Sequence, residues 1–212
     1  MFYRARFFLR FLSFVKDPTK TELIFNIIDI LLKDPHNQPV IEHLEKSYLS
    51  EPELQKMWQE RWLPSVMTMA QLEACPAGSL GKAYFEHLKK NNLQPDFFPD
   101  KNIRRPIDYF SQRLYRVHDL WHVLLGLDIS PQGELALQAF TFAQIKSGVP
   151  IIILAGGFLH VTRTQPFTLV PLFDEIIRLY QMGRKLPPLL TFRLEDMLHE
   201  PLTEVRARVG FQ

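Results

Sequence analysis

The chain has 212 residues, of which 46% are hydrophobic and 23% are charged, a composition typical of a globular protein that can bury a substantial core. Its 25 basic and 23 acidic residues leave a net charge of +2, which argues against a protein built to coat nucleic acid. The only cysteine, Cys75, excludes an intramolecular disulfide framework and is typical of a reducing compartment.

The first predicted element is an amphipathic N-terminal segment over residues 1–16. It contains five phenylalanines, no acidic residue and four basic residues, Arg4, Arg6, Arg10 and Lys16. The segment is too short and too charged to span a bilayer. A transit peptide is one interpretation, although such peptides are usually rich in serine and this segment contains only Ser13. Two further interpretations are a helix docked on the protein core and a helix that lies on a membrane surface.

Short helices are predicted to follow, each with apolar side chains at a helical period and each bounded by proline or glycine. The predicted helices cover residues 21–32, 41–49, 53–62 and 84–91. The polar, proline-rich stretch 91–106 is then predicted to be a long connection.

The next predicted helix contains a candidate metal site. His118, Asp119 and His122 share one helix face, because successive residues are rotated by ~100°. Two imidazoles four residues apart can bind one divalent cation from the same side. The alternative is that the histidines are ordinary core residues and that Asp119 only fixes the tautomer of His122.

A second helix is predicted directly after a short turn. Gly126 ends the first helix, and Ser130-Pro131 is typical of an N-cap followed by proline at the first helical position. The short turn predicts a helical hairpin that returns Glu134 towards the histidines. Two nitrogen and two carboxylate ligands would then form a metal site on this hairpin.

Two apolar segments are predicted after the hairpin. The helix that begins near Glu134 is predicted to end at Gly148-Val149-Pro150. Residues 151–161 form the most apolar run, which fits either a strand or a helix, and its glycine pair suits close approach of another helix or of a ligand's chain. Residues 166–180 are amphipathic, with Gly183 as the predicted C-cap.

No convincing alternating strand pattern is present in the sequence. The chain is therefore predicted to be an all-α, single-domain helical fold over residues 1–212.

The histidine stretch resembles the metal motif of the coenzyme Q biosynthesis protein 4 family, HDxxH followed by eleven residues and a glutamate. The resemblance covers roughly Gly78 to the C terminus, although the ending Val209-Gly210-Phe211 departs from the family's usual Leu-Gly-Ile. Other residues that carry it are Gly81-Lys82-Ala83-Tyr84, Gln112-Arg113-Leu114-Tyr115-Arg116, Gly133-Glu134-Leu135, Gly183-Arg184 and Pro201-Leu202 with Val205-Arg206.

The resemblance implies a metal-binding protein of ubiquinone assembly. His118, Asp119, His122 and Glu134 would hold a divalent cation, zinc in the first place, with magnesium or iron as alternatives. The family has been assigned an oxidative reaction in which the carboxyl at ring carbon 1 of a prenylated hydroxybenzoate is replaced by a hydroxyl. Whether this chain is an enzyme stays open in the sequence, because the family has also been given a non-catalytic, lipid-binding scaffold role.

In the scaffold interpretation, the two apolar segments line an apolar slot for a polyprenyl tail. The expected tail contacts are Ile152, Gly156, Phe158 and Leu172, and the expected head-group contacts are Arg113, Arg116 and Arg184. Such a slot would bind a polyprenyl quinone precursor or another isoprenoid lipid.

The amphipathic N-terminal segment, together with the lack of any run long enough to cross a bilayer, predicts a peripheral protein at the cytoplasmic face of a membrane. In a eukaryote this would be the matrix side of the mitochondrial inner membrane. The expected partners are the membrane surface, further copies of the chain and other quinone-biosynthesis proteins, without nucleic acid. A third hypothesis is a metal phosphohydrolase, since an adjacent His-Asp pair also marks that class. A phosphohydrolase site needs a further upstream histidine, and the sequence around His36, His43 and His87 gives no support for such a role.

Overall fold

The computed structural model describes residues 2–95 and 102–211. Within these residues the regular structure consists of α-helices and short 3-10 turns, apart from an isolated β-bridge between Ser79 and Pro201. The all-α prediction is confirmed. The described α-helices are α1 (Phe2–Lys16), α2 (Thr21–Lys33), α3 (Gln38–Leu49), α4 (Pro52–Glu60), α5 (Met69–Glu73), α6 (Leu80–Asn91), α7 (Pro106–Leu125), α8 (Pro131–Ile145), α9 (Gly148–Thr164), α10 (Leu169–Lys185) and α11 (Leu202–Arg208).

Most predicted helices are present, but the boundary between α8 and α9 differs from the prediction. Gly148-Val149-Pro150 begins α9 and does not end α8. The reason is the side chain of Ser147, whose hydroxyl accepts a hydrogen bond from the N–H of Val149 at 3.3 Å and caps α9. Pro150 lies in the first turn of the helix, where no backbone donor is needed. The apolar run 151–161, open between strand and helix, is helical.

Part of the predicted connection 91–106, namely residues 96–101, lies outside the described residues. Among the helices that are described, none combines the length and the hydrophobicity that a bilayer crossing requires.

Contacts between Cα atoms divide the chain into two compact units. The first unit contains the chain up to Leu44 together with Ile129–Lys185, and the second contains Glu45–Asp128 together with the chain from Leu186 onward. Each unit is therefore assembled from two separate stretches of sequence. The prediction of a single domain over residues 1–212 stays a prediction.

In the first unit, α8 packs against both α9 and α10, and α1 packs against α2 and α9. Gly183 lies inside α10 and not at its end, so the prediction of a C-cap is wrong. A Cβ at Gly183 would lie 2.9 Å from Cβ of Ala143 and 2.9 Å from the carbonyl oxygen of Phe140, both on α8. The absence of a side chain permits the close contact of the two helices.

In the second unit, α7 is the helix that carries the candidate site. Eleven of its residues are buried, among them Trp121 and His122, and it packs against α6. The start of α6 is fixed by the C-terminal segment, because Leu80 donates its N–H to the carbonyl of Glu200 at 2.9 Å and Gly81 donates to that of Leu198 at 2.7 Å. These bonds hold α6 in place beside α7.

Candidate metal centre

His118 and His122 lie one helical turn apart on α7, as the sequence predicted. Their ring centroids are 5.0 Å apart, with 65° between the ring planes. Each ring offers one nitrogen, and the two nitrogens lie within 4.8 Å of each other. Nitrogens this close together can both bind one ion. His122 is fully buried and His118 is half-buried.

Asp119 orients His118. An oxygen of its carboxylate lies 3.0 Å from Nδ1 of His118. Burial raises the pKa of Asp119. The hydrogen bond from His118 and the charges of His118, His122 and His87 lower this pKa by more than burial raises it, so the pKa lies below its ordinary value. An ionised carboxylate can only accept, so Nδ1 of His118 donates, and Nε2 carries the lone pair that a metal ion needs.

A third histidine, His87, belongs to the same cluster although its sequence context gave no reason to choose it. His87 lies on α6, and its ring is nearly parallel to that of His122, with centroids 5.5 Å apart and 25° between the planes. Tyr84, three residues earlier, is buried, and its pKa is raised by burial and by the charges of Asp119 and Glu195. The sequence predicted the helix that carries both residues but not the surface on which it packs.

The boundaries that were predicted around the turn after α7 are confirmed. Gly126 adopts the left-handed conformation with φ of 69°, and the carbonyl of His122 accepts a hydrogen bond from the N–H of Leu127 at 3.0 Å. The hydroxyl of Ser130 accepts from the N–H of Gly133 at 3.1 Å and caps α8.

Glu134 lies in the first turn of α8, within the first unit. Its side chain is half-buried, and its N–H donates to the carbonyl of Ser130 at 2.9 Å. A carboxylate at this position is favoured by the helix dipole.

Arg113, predicted to contact a lipid head group, has partners inside the second unit. It is fully buried and forms an ion pair with Glu195. It also donates to the carbonyl of Phe192 at 3.2 Å, and its guanidinium lies 4.6 Å from the ring centre of Trp62. Arg113 thus links α7 to the C-terminal segment.

The other two predicted head-group residues lie in different units. Arg116, in the second unit, donates to the carbonyl of Pro64. Arg184, in the first, is exposed at the end of α10, with its guanidinium 5.9 Å from the ring centre of Tyr180. A head-group role for these residues stays a prediction.

The four residues predicted to line a lipid slot are distributed over two apolar clusters of the first unit. Phe158 and Leu172 belong to one cluster, and Ile152 packs against the other. Gly156 is buried beneath the ring of Phe14, whose nearest atoms would lie 2.6 Å from an added Cβ. The predicted close approach at the glycine pair is therefore made by protein side chains. A tail-binding role for these residues stays a prediction.

Comparisons with known proteins give a consistent picture. A family model described as coenzyme Q (ubiquinone) biosynthesis protein Coq4 matches residues 15–212. Curated relatives include the mitochondrial ubiquinone biosynthesis protein COQ4 homologs of Rattus norvegicus, 31% identical over 179 residues, and of Homo sapiens, 31% identical over 169 residues. The alignments cover 80% and 76% of this chain, but 65% and 61% of the two relatives. The chain thus spans less than two thirds of their length.

A crystal structure of a candidate ubiquinone biosynthesis protein from Nostoc punctiforme PCC 73102 has a similar fold. The TM-score is 0.83 at 26% sequence identity, and the match covers 99% of this chain and 98% of the other.

Proposed function

Since the chain belongs to the coenzyme Q (ubiquinone) biosynthesis protein Coq4 family, we propose that it binds one divalent metal ion through His118, His122 and Glu134. Asp119 is proposed as a further carboxylate of the site. We also propose that the protein acts on the ring carboxyl of a prenylated hydroxybenzoate. The observation that carries the proposal is the pair of imidazoles one turn apart, with their nitrogens within 4.8 Å and an ionised Asp119 against one of them.

The donor set suits some ions better than others. Two imidazoles and carboxylates are ligands that zinc accepts in a tetrahedral site, and two histidines with one carboxylate are also the ligands of non-haem iron. Magnesium prefers oxygen ligands and several waters. We propose zinc first, and iron or magnesium as alternatives.

Asp119 contributes in this proposal chiefly through His118. Its hydrogen bond to Nδ1, at 3.0 Å, fixes the ring orientation and increases the basicity of Nε2. The partial burial of both side chains reduces their contact with bulk water, which strengthens this electrostatic interaction.

Glu134 is proposed as the carboxylate ligand on α8. Residues 126–130 alone separate α7 from α8, so chain connectivity keeps the first turn of α8 within roughly 20 Å of the end of α7. Glu134 is also the acidic residue of that first turn.

A bound ion would supply Lewis-acid polarisation of the head group's carboxylate or phenolate oxygen. Replacement of the carboxyl by a hydroxyl would release CO2 and take one oxygen atom from O2, whose other atom leaves as water with two electrons and two protons from an added reductant. Since zinc has no redox chemistry, O2 would have to be activated by iron or react directly at an electron-rich phenolate ring.

The test is to supply a prenylated hydroxybenzoate to the purified, metal-loaded protein in air with a two-electron reductant such as ascorbate, and to follow the ring by mass spectrometry. We expect loss of the carboxyl and gain of a hydroxyl. The activity should be absent from His118→Ala and retained by His43→Ala, which removes an exposed histidine on α3. No metal-dependent change at the ring carboxyl would refute the catalytic proposal.

A second candidate function is a lipid-binding scaffold. The observation that favours it is a set of exposed large apolar side chains on and between α9 and α10, namely Ile151, Leu159, Phe167, Val170, Phe173 and Ile177. Burial of a prenyl tail contributes ~0.8 kcal/mol per methylene, which permits tight binding without chemistry. Native mass spectrometry with added isoprenoid is the test. We expect retention by the parent and loss in Phe173→Glu, whereas a parent that retains no isoprenoid would exclude the scaffold role.

We also propose a peripheral location on a membrane surface, at the matrix side of the mitochondrial inner membrane if the source is eukaryotic. The support comes from the mitochondrial relatives and from the apolar and basic outer face of α1. Association with further copies of the chain and with other quinone-biosynthesis proteins stays a prediction.

A further inference from the structure

His122 is fully buried between two other imidazoles of the second unit. The ring of His118 meets it nearly edge-on, at 5.0 Å between centroids and 65° between planes. The ring of His87 lies against it nearly parallel, at 5.5 Å and 25°, which is an offset-stacked arrangement. His118 and His122 come from α7, whereas His87 comes from α6.

The orientation of an imidazole is weakly determined by its own torsions, because rotation about the bond to the ring is broad and roughly two-fold. The flat surface of a neighbouring ring restricts that rotation by packing. His87 is well placed for this role since Leu88, the next residue on α6, is fully buried and the start of α6 is hydrogen-bonded to Leu198 and Glu200.

We propose that His87 is a positioning residue for His122, whose ring it holds in the orientation that presents a nitrogen to the metal ion. The proposal rests on the proposed function for the ligand role of His122. His87 is not itself a ligand in this arrangement. Its aromatic face, and not its nitrogen atoms, is the part that acts.

The first test distinguishes the contribution of the aromatic face of His87 from the contribution of its ring nitrogens. His87→Ala removes both, and His87→Phe retains only an aromatic face, while His43→Ala is the matched control at an exposed site. Cobalt(II) affinity and the visible spectrum of the bound cobalt are measured for each variant, and circular dichroism confirms that each is folded. We expect the affinity of His87→Ala to fall 10–100-fold, the range typical of residues that orient metal ligands. The affinity and spectrum of His87→Phe should remain close to those of the parent and of His43→Ala.

In this first test, either of two outcomes overturns the proposal. Parent-like cobalt affinity in His87→Ala would show that the ring face has no role. A loss in His87→Phe as large as that in His87→Ala, with a changed cobalt spectrum, would show that an imidazole nitrogen of His87 acts directly.

A second readout does not depend on metal. In metal-free protein with isotope-labelled histidine, the side-chain resonances of His122 should be sharp in the parent and in His87→Phe, and broadened or averaged in His87→Ala. If the parent binds no cobalt but this pattern appears, the proposed metal function fails while the positioning of His122 stands. If the parent binds cobalt and His122 is equally ordered in all variants, the positioning role fails while the proposed function stands.

Discussion

At the scale of the residue, substitution of Glu134 best distinguishes a metal ligand from a residue that only caps a helix. We predict that Glu134→Gln weakens metal binding by at least tenfold, or about 1.4 kcal/mol, because it removes a negative charge from beside a dication. A capping role alone would account for only about 0.3–1 kcal/mol of stability. Isothermal titration with zinc or cobalt measures the difference.

The control for this prediction is Glu22→Gln, which changes the acidic residue in the first turn of α2. It should alter thermal stability to a similar small extent and leave metal affinity unchanged. Parent-like metal affinity in Glu134→Gln would reduce Glu134 to a helix-capping residue.

Arg113 is a second residue for which a prediction can be made, because its ion pair with Glu195 is largely shielded from water. We predict that Arg113→Met lowers the free energy of unfolding by about 3–5 kcal/mol, because the half-buried Glu195 loses the ion-pair partner that the fully buried Arg113 provides. Urea unfolding provides the measurement. Arg184→Met, at an exposed position, should change stability by no more than about 0.5 kcal/mol. Similar small effects for both variants would mean that the ion pair contributes nothing to stability.

At the scale of the element, the contact between α8 and α10 depends on a residue without a side chain. We predict that Gly183→Ala destabilises the protein by about 1–3 kcal/mol, because its Cβ would lie 2.9 Å from atoms of Ala143 and Phe140. Gly148→Ala is the control, since an added Cβ there meets nothing within 4 Å. Thermal unfolding of both variants tests the prediction. Equal stability of the two variants would show that α8 and α10 can move apart without a loss in free energy of unfolding.

The N-terminal helix is docked on the protein, whereas its association with a membrane surface stays a prediction. Its inner face is docked, because Phe14 is buried in a cluster with residues of α2. Its outer face is apolar, with Leu9 65% and Leu12 48% exposed, and it contains basic residues but no acidic ones. A folded helix with such a face is suited to a membrane surface.

We therefore predict that the double variant Leu9→Glu/Leu12→Glu loses most of its binding to vesicles of anionic lipid. Val40→Glu, with Val40 59% exposed on α3, should bind like the parent. Flotation of the three proteins is the measurement. Equal flotation would locate the membrane contact elsewhere, and absence of flotation even for the parent would leave α1 as a docked helix only.

At the scale of the whole molecule, the fold should be largely independent of the metal. The first unit contains apolar clusters of its own, and α7 buries Trp121 and other apolar residues in the second. We predict that His118→Ala and His122→Ala remove most of the bound metal and retain the helix content. A structural zinc would behave differently, since its binding energy is part of the folding energy.

Metal analysis and circular dichroism on the same samples test this prediction. Full metal occupancy in both variants would contradict the assignment of these histidines as ligands. Unfolding of both variants together with metal loss would instead make the site a structural one.

The sequence by itself determined the features that depend on neighbours within a few residues. The spacing of His118 and His122, the end of α7 at Gly126 and the start of α8 at Ser130-Pro131 all follow from hydrogen bonds and rotations within about one helical turn. The same local signals gave a wrong boundary at Gly148, because glycine and proline are compatible with the first turn of a helix as well as with its end.

Only the tertiary structure decided which distant residues meet. His87 reaches His122 through the packing of α6 on α7, and Arg113 reaches Glu195, 82 residues away. The periodicity of a helix predicts which of its faces is buried, but it contains no information about the helix that covers that face. The roles of His87 and Arg113 are therefore set by contacts between elements, which a local pattern does not specify.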